Sequence, residues 1–407
     1  MSTNNHHSFY DKSFGNRHAL IFGFVSVFLI AIGFSIVNPV VPFLVKPYVL
    51  DTKQQAFFVT LLTSVYAGCM FLSAPVLGAI SDRYGRRPIL LTSLLGSAIG
   101  LFIFGLGGKL WVLFLGRIIE GISGGSIGMI FAYFADITPS NQRTKYFGWA
   151  SAIAGIGSVM GPTIGGILSS LFSNQVPFYF GAILTLVNVG YGAFFMPESL
   201  KEENRLLSLT LKKFNPFLQL AQVFSLKMVG RLLFSGLLLW IPNGAMQAIL
   251  AQFIVDIFHS RALIIGFIFS IMGLQDIISQ AFFMPQLLKK FHDRQIVYIG
   301  IFAEIVGYVC IGLSASFVSF PLFILGMFFF GFGDSVLSPA FNGLLSKSAQ
   351  SNEQGSVQGG SQAVQSLARI IGPIAGGQAY LVVSQAAPAY FGVVFLLAAM
   401  FVLLKKK

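Results

Sequence analysis

Apolar residues fall in long runs, each about the length that crosses a bilayer as a helix, and short clusters of charged and turn-forming residues separate them. The pattern predicts about twelve spans, near 19–46, 56–81, 88–107, 110–135, 144–171, 175–197, 229–257, 262–288, 296–315, 319–345, 355–381 and 386–404. No soluble domain is left over. Met1 to Arg17 is polar with no apolar core, so it reads as a short tail and not a cleavable signal peptide; the first span serves as the insertion signal.

Composition sharpens this picture. The chain of 407 residues is 55% hydrophobic and 10% charged, with a mean hydropathy of +0.79, whereas soluble domains carry about 25% charge. A soluble enzyme is excluded, and the class is an all-α membrane protein. The formal net charge of +12 does not point to nucleic acid, because the basic residues lie in the gaps between apolar runs. About 20 of the 26 Lys and Arg residues fall on the side shared by both termini. Lys46, Lys53, Lys109 and Arg261 fall on the other side, so both termini are expected in the cytoplasm. Cys69 and Cys310 are isolated in apolar runs, and His6, His7, His18, His259 and His292 show no ligand spacing. No metal and no cofactor is expected. No phosphate-binding glycine loop ending in Lys and Ser or Thr is present either, so the driving force is not expected to come from bound ATP.

The longest polar stretch lies midway along the chain. It predicts an N-terminal six-helix bundle over 1–197, a cytoplasmic linker over 198–228 and a C-terminal six-helix bundle over 229–407. A shift of 211 residues superposes Asp82-Arg83 on Asp293-Arg294, Ser140-Asn141 on Ser351-Asn352, Gly148 on Gly359, and the Gly161-Pro162, Gly165-Gly166 cluster on Gly372-Pro373, Gly376-Gly377. One constant offset joining four separated elements predicts parallel, pseudo-symmetric repeats with a cavity at their seam.

Charges inside spans are the candidate chemistry. A lone charge at the bilayer centre costs about 2.5–3.5 kcal/mol, so Arg117 and Glu120, three residues apart on one helical face, are expected to point inward. Either a static ion pair or a proton-responsive one fits them. Asp276, Glu304 and Asp334 add three carboxylates in the C-terminal half, with Arg369 as their counter-charge. A carboxylic acid taken out of water favours its neutral form, so such groups suit proton loading and release. Asn38, Gln247, Gln252, Gln275, Gln280, Asn342, Gln362 and Gln365 complete the expected cavity polarity, in a site otherwise apolar and adaptable.

Two motifs carry a resemblance. The loop Gly78-Ala-Ile-Ser-Asp82-Arg83-Tyr-Gly85-Arg86-Arg87-Pro88 is similar to the signature loop of the major facilitator superfamily, which the chain also resembles in span number, halves and linker. The resemblance implies a gate at Gly78, Asp82, Arg83, Gly85, Arg86 and Arg87 that holds the halves in the outward-facing state. In the fifth span, Gly148, Gly157, Gly161, Pro162, Gly165 and Gly166 follow the pattern of proton-coupled drug exporters, although a glycine-lined face also explains close helix packing by itself. Further segments, among them Trp111-Val-Leu-Phe-Leu-Gly-Arg117-Ile-Ile-Glu120-Gly, Ala132-Tyr-Phe-Ala-Asp136-Ile-Thr and Met196-Pro-Glu198-Ser, resemble the tetracycline exporters of that superfamily. Where those exporters place aspartates in the first and third spans, this chain has Ile30 and Gly100. Their eighth-span histidine corresponds to Asp276 and their ninth-span carboxylate to Glu304. The implied function is proton-coupled efflux of amphipathic drugs by a monomer in a bacterial inner membrane, by alternating access and with no enzymatic activity. An importer or facilitator of a small nutrient would share fold and loop.

Overall fold

The computed structural model describes residues 7–125, 127–138, 142–200, 202–205, 224, 227–348 and 354–404. Among them are twelve long helices. In the first half these are α1 (His7–Ile36), α2 (Thr52–Tyr84), α3 (Arg86–Leu106), α4 in two segments (Leu110–Gly124 and Ile127–Ile137), α5 (Arg143–Leu171) and α6 (Val176–Phe195). The second half has α7 (Lys227–Phe258), α8 (Ala262–Ile278, continuing through a π turn at Ser279–Phe283 into Met284–Lys290), α9 (Asp293–Phe317), α10 (Phe320–Lys347), α11 (Gln354–Val382) and α12 (Ala387–Leu404). Ser140–Asn141, Ser351–Asn352 and most of the expected linker lie outside the described residues.

Several boundaries differ from the sequence expectation. α1 begins at His7, inside the stretch expected to be a tail, and ends at Ile36; the rest of the expected first span is a turn and a short helix, Val41–Val45. α8 is not a uniform helix. Pro285 has no amide hydrogen to return to the preceding turn, and the chain just before it widens into the π turn next to Asp276. Eleven of the helices are long and apolar enough to cross a membrane. α11 is the exception. It carries Ser361, Gln362, Gln365, Ser366 and Arg369, and it is tolerated because it packs between α7, α12 and α2 instead of facing lipid alone.

Packing divides the helices into two bundles. α3 packs on α4 and α6, and α1 on α5 and α6; in the other half α9 packs on α10 and α12, and α7 on α11 and α12. Across the seam α5 meets α8, and α2 meets α11 and α7. These seam contacts lie in the parts of the helices remote from the α2–α3 turn. Ser64 donates to the Ile370 carbonyl at 2.9 Å, Ser270 to the Val159 carbonyl at 2.5 Å, and the Thr163 and Ser270 hydroxyls are 2.6 Å apart. Gly166 lies against the Ala262–Leu263 backbone and Gly266 against Pro162. Toward the α2–α3 turn, a Cβ on Gly68, Gly78, Gly148 or Gly155 would meet open space.

A candidate seam cavity with buried charges

The α2–α3 turn is a compact charge network. Gly85 has φ +106°, a conformation that side chains disfavour, and it lets α3 start directly after α2. The Glu198 carboxylate caps the α3 N-terminus, accepting from the Arg86 and Arg87 amides at 2.8 and 3.1 Å. Arg86 bonds Asp82 at 2.5 Å, Asp136 at 3.2 Å and the Ser81 hydroxyl at 2.7 Å. Arg87 donates to the Ala193 carbonyl at 2.6 Å, and Arg83 lies over the Tyr84 ring. These contacts join the N-terminal bundle to Glu198 at the start of the linker, and none of them reaches the C-terminal half. Sequence reasoning missed Asp136 and Glu198 as site residues, although each is a carboxylate just beyond an apolar run. The repeat offset is a second signal: it places Asp82 and Asp136 on Asp293 and Lys347, which pair at 2.5 Å.

The glycines of α5 serve two neighbours. A Cβ on Gly157 would sit 2.8 Å from the Phe28 carbonyl oxygen of α1, and one on Gly165 would sit 2.5 Å from that of Ile36. Gly161 packs on the same α1 backbone. Gly166 and Pro162 instead face α8 across the seam.

A cavity of about 110 Å³ lies at the seam. Phe34, Asn38, Thr63, Tyr66 and Arg117 line it from one half, and Gln247 and Arg369 from the other. Arg117 is only 6% exposed; its guanidinium bonds Glu120 at 2.7 Å and sits 4.5 Å from the Phe104 ring centroid and 5.5 Å from that of Tyr66. Glu120 also borders a small pocket that includes Ile30. A Cβ on Gly100 would lie 2.7 Å from the Glu120 amide nitrogen, so α3 and α4 touch backbone to backbone there and no side chain fits. The two positions that lack an acid thus converge on the one glutamate that α4 supplies.

A second chamber, about 120 Å³, lies within the C-terminal half and shares Gly244, Gln247 and Arg369 with the first. Asp334, Ser338, Asn243 and Gln365 complete its polar wall, with Trp240 beside them. Gln247 donates to Asn243 at 2.7 Å.

The remaining expected cavity residues lie elsewhere. Gln252 is fully buried and borders neither chamber, which corrects its assignment to the cavity; its amide donates at 2.8 Å to Asp256, four residues on along the same helix, which the Tyr380 hydroxyl also bonds. Gln275 donates to the Phe328 carbonyl, Gln280 to Asp276 at 2.8 Å, and Asn342 accepts from Ser361. Gln362 is exposed and borders neither chamber. Glu304 is 0% exposed, packs against Gly333 of α10, and its carboxylate oxygens have no hydrogen-bond partner. It lies between α9 and α10 and borders none of these cavities.

Comparison with known proteins agrees with this architecture. The family model described as Major Facilitator Superfamily matches residues 23–373. The class C tetracycline resistance protein of Escherichia coli is 35% identical, over 88% of this chain and 89% of its own length. The class H protein of Pasteurella multocida is 30% identical over 88% of both. Among solved structures, the human organic anion transporter MFSD10 superposes with a TM-score of 0.71 at 21% identity, over 95% of this chain and 99% of that one. The nucleoside transporter NupG gives a TM-score of 0.75 at 15% identity, over 96% of this chain and 100% of that one.

Proposed function

The chain belongs to the Major Facilitator Superfamily and is a multi-pass membrane transporter, and we propose that it exports amphipathic small molecules against an inward flow of protons by alternating access. The observation that carries this reading is the seam cavity, lined by both halves, with Arg117 from one half and Arg369 from the other in its wall. Rocking of the halves about that seam turns one set of ionisable groups from one face to the other. With the α2–α3 turn on the cytoplasmic side, as the placement of Lys and Arg supports, the remote seam contacts make this the inward-facing conformation. Asp82, Gly78, Gly85 and the arginines Arg83, Arg86 and Arg87 then act as a gate by engaging the other half only when it faces outward.

Proton coupling in this reading runs through carboxylates. Asp334 borders the chamber and exchanges a proton for substrate; Glu120 exchanges its proton against the Arg117 pair; Asp276 and Glu304 supply relay positions in the C-terminal half. At a potential of roughly 150 mV each proton carries about 3.5 kcal/mol, sufficient to drive accumulation. The relatives' role in tetracycline resistance favours drug export, and Glu120 takes the place of the acids absent at Ile30 and Gly100. The chain works as a monomer in a bacterial inner membrane, with bundles over 1–197 and 229–407, a cytoplasmic linker between them and both termini in the cytoplasm.

The test is transport in proteoliposomes with an imposed pH gradient, using a panel of amphipathic antibiotics that includes tetracycline. Gradient-dependent accumulation, with matching proton release, is expected. Equilibration that ignores the gradient would establish a facilitator instead.

A further inference from the structure

The chamber beside the seam cavity has a composition that selects a head group. Its wall holds one guanidinium, Arg369, and one carboxylate, Asp334, with Asn243, Gln247, Gln365 and Ser338 between and around them. The two charged groups bound the same 120 Å³. Among the described residues, however, the ion pairs closer than 4.0 Å do not include them, so each keeps its charged end apart from the other. Arg117 differs in this respect, because Glu120 neutralises it at 2.7 Å. Arg369 is also exposed in the wall shared with the seam cavity, whose other lining includes Phe34, Val37, Val41, Val59 and Met70. An apolar cavity therefore opens beside a polar chamber that presents an acid and a base across a gap.

We propose that the chamber binds the head of a zwitterionic amphipath, with its ammonium group on Asp334, its anionic oxygen on Arg369, and its apolar body in the seam cavity. Opposite charges held apart across one chamber each lack a charged partner there, and one ligand bearing both complementary charges supplies both. A purely cationic ligand meets Arg369, and a purely anionic one meets Asp334, so each is opposed by one wall charge. The inference rests on the transporter reading to the extent that it names the substrate class for that cavity. It also explains coupling at one atom pair, since a proton on Asp334 removes the ammonium's partner. Asp276 and Glu304 lie on the elements next to Asp334 and, with Arg369, set the field in which that proton binds.

Trp240 lines the chamber and supplies the reporter. In purified full-length protein carrying Trp111→Phe and Trp149→Phe, emission comes from Trp240 alone, and energy transfer to a bound dansyl group reads occupancy. Four probes with one apolar body differ only in head: Nε-dansyl-lysine is zwitterionic, dansylcadaverine cationic, 6-(dansylamino)hexanoate anionic, and N-pentyl-dansylamide neutral. Nε-dansyl-lysine is expected to bind about tenfold or more tightly than either singly charged probe, one such factor for each charge-assisted contact. Arg369→Gln is expected to erase its advantage over dansylcadaverine, and Asp334→Asn its advantage over the hexanoate. Equal affinities across the series, tighter binding of a singly charged probe, or no energy transfer from any probe at about 1 mM to monodisperse protein would overturn the proposal. No pH gradient enters the measurement. Head-group selectivity without gradient-driven transport would sink the export reading alone, and a working proton-driven pump with flat selectivity would sink this inference alone.

Discussion

Glu120→Gln tests whether the α4 ion pair is a structural requirement. Arg117 and Glu120 are 6% and 5% exposed and their charged ends are 2.7 Å apart. Removing one partner of a buried pair strands the other charge, at a typical cost of about 3–5 kcal/mol. Two features reduce that cost here. Glutamine keeps the shape and one acceptor oxygen, and the Phe104 and Tyr66 rings still face the guanidinium, each such contact contributing ~0.5–2 kcal/mol whatever stands at 120. The expected loss is therefore about 2–4 kcal/mol, read by equilibrium unfolding of the purified protein in mixed micelles. An apolar replacement of both partners, Arg117→Met with Glu120→Leu, removes the desolvation cost together with the attraction. It is expected to fall within about 1 kcal/mol of the parent while losing proton-coupled transport. A Glu120→Gln protein as stable as the parent, or a double variant as damaged as the single one, would refute the reasoning.

Other expectations follow from the same contacts. Ile30→Asp returns an acid to the small pocket beside Glu120 and is expected to restore part of the gradient-driven efflux lost in Glu120→Gln, whereas Gly100→Asp, whose Cβ would meet the Glu120 amide, is expected to reduce folded yield. Glu198→Gln weakens the cap on α3 and should lower unfolding stability by about 0.5–2 kcal/mol; an unchanged unfolding midpoint would show that the cap contributes nothing. Asp276→Asn and Glu304→Gln are expected to abolish gradient-driven efflux in vesicles at normal expression, and unchanged transport would make both residues structural. Asp82→Asn should slow cycling more than it weakens substrate binding, and lost affinity with normal turnover would contradict the gate assignment.

Much of the architecture is legible in the residues, because spans of apolar length and a constant repeat offset are one-dimensional signals. The glycine pattern of α5 announces a flat face, but spacing alone does not say which helix lies on it; the structure assigns Gly157, Gly161 and Gly165 to α1 and Gly166 to α8. A glutamine inside a span announces polarity without saying who satisfies it. Gln252 is buried beside its partner Asp256 one turn away, whereas Gln247, at the same spacing from Asn243, lines the cavity, so spacing does not separate the two. The turn network needs Asp136 and Glu198, whose carboxylates reach Arg86 and the α3 amides only after α4 and α6 have been folded back. The polar chamber is the least legible feature. Trp240, Asp334 and Arg369 come from three separated helices, and only their packing shows that the acid and the base share one space without touching.

Water access to the seam cavity tests alternating exposure most directly. In a background lacking Cys69 and Cys310, a cysteine placed at Thr63, in the cavity wall, is labelled with a membrane-impermeant thiol reagent from either face of oriented vesicles. Reaction from the cytoplasmic face at rest, shifting to the opposite face when the pH gradient is imposed, is the predicted result. Labelling from one face under every condition, or from neither, would contradict the account.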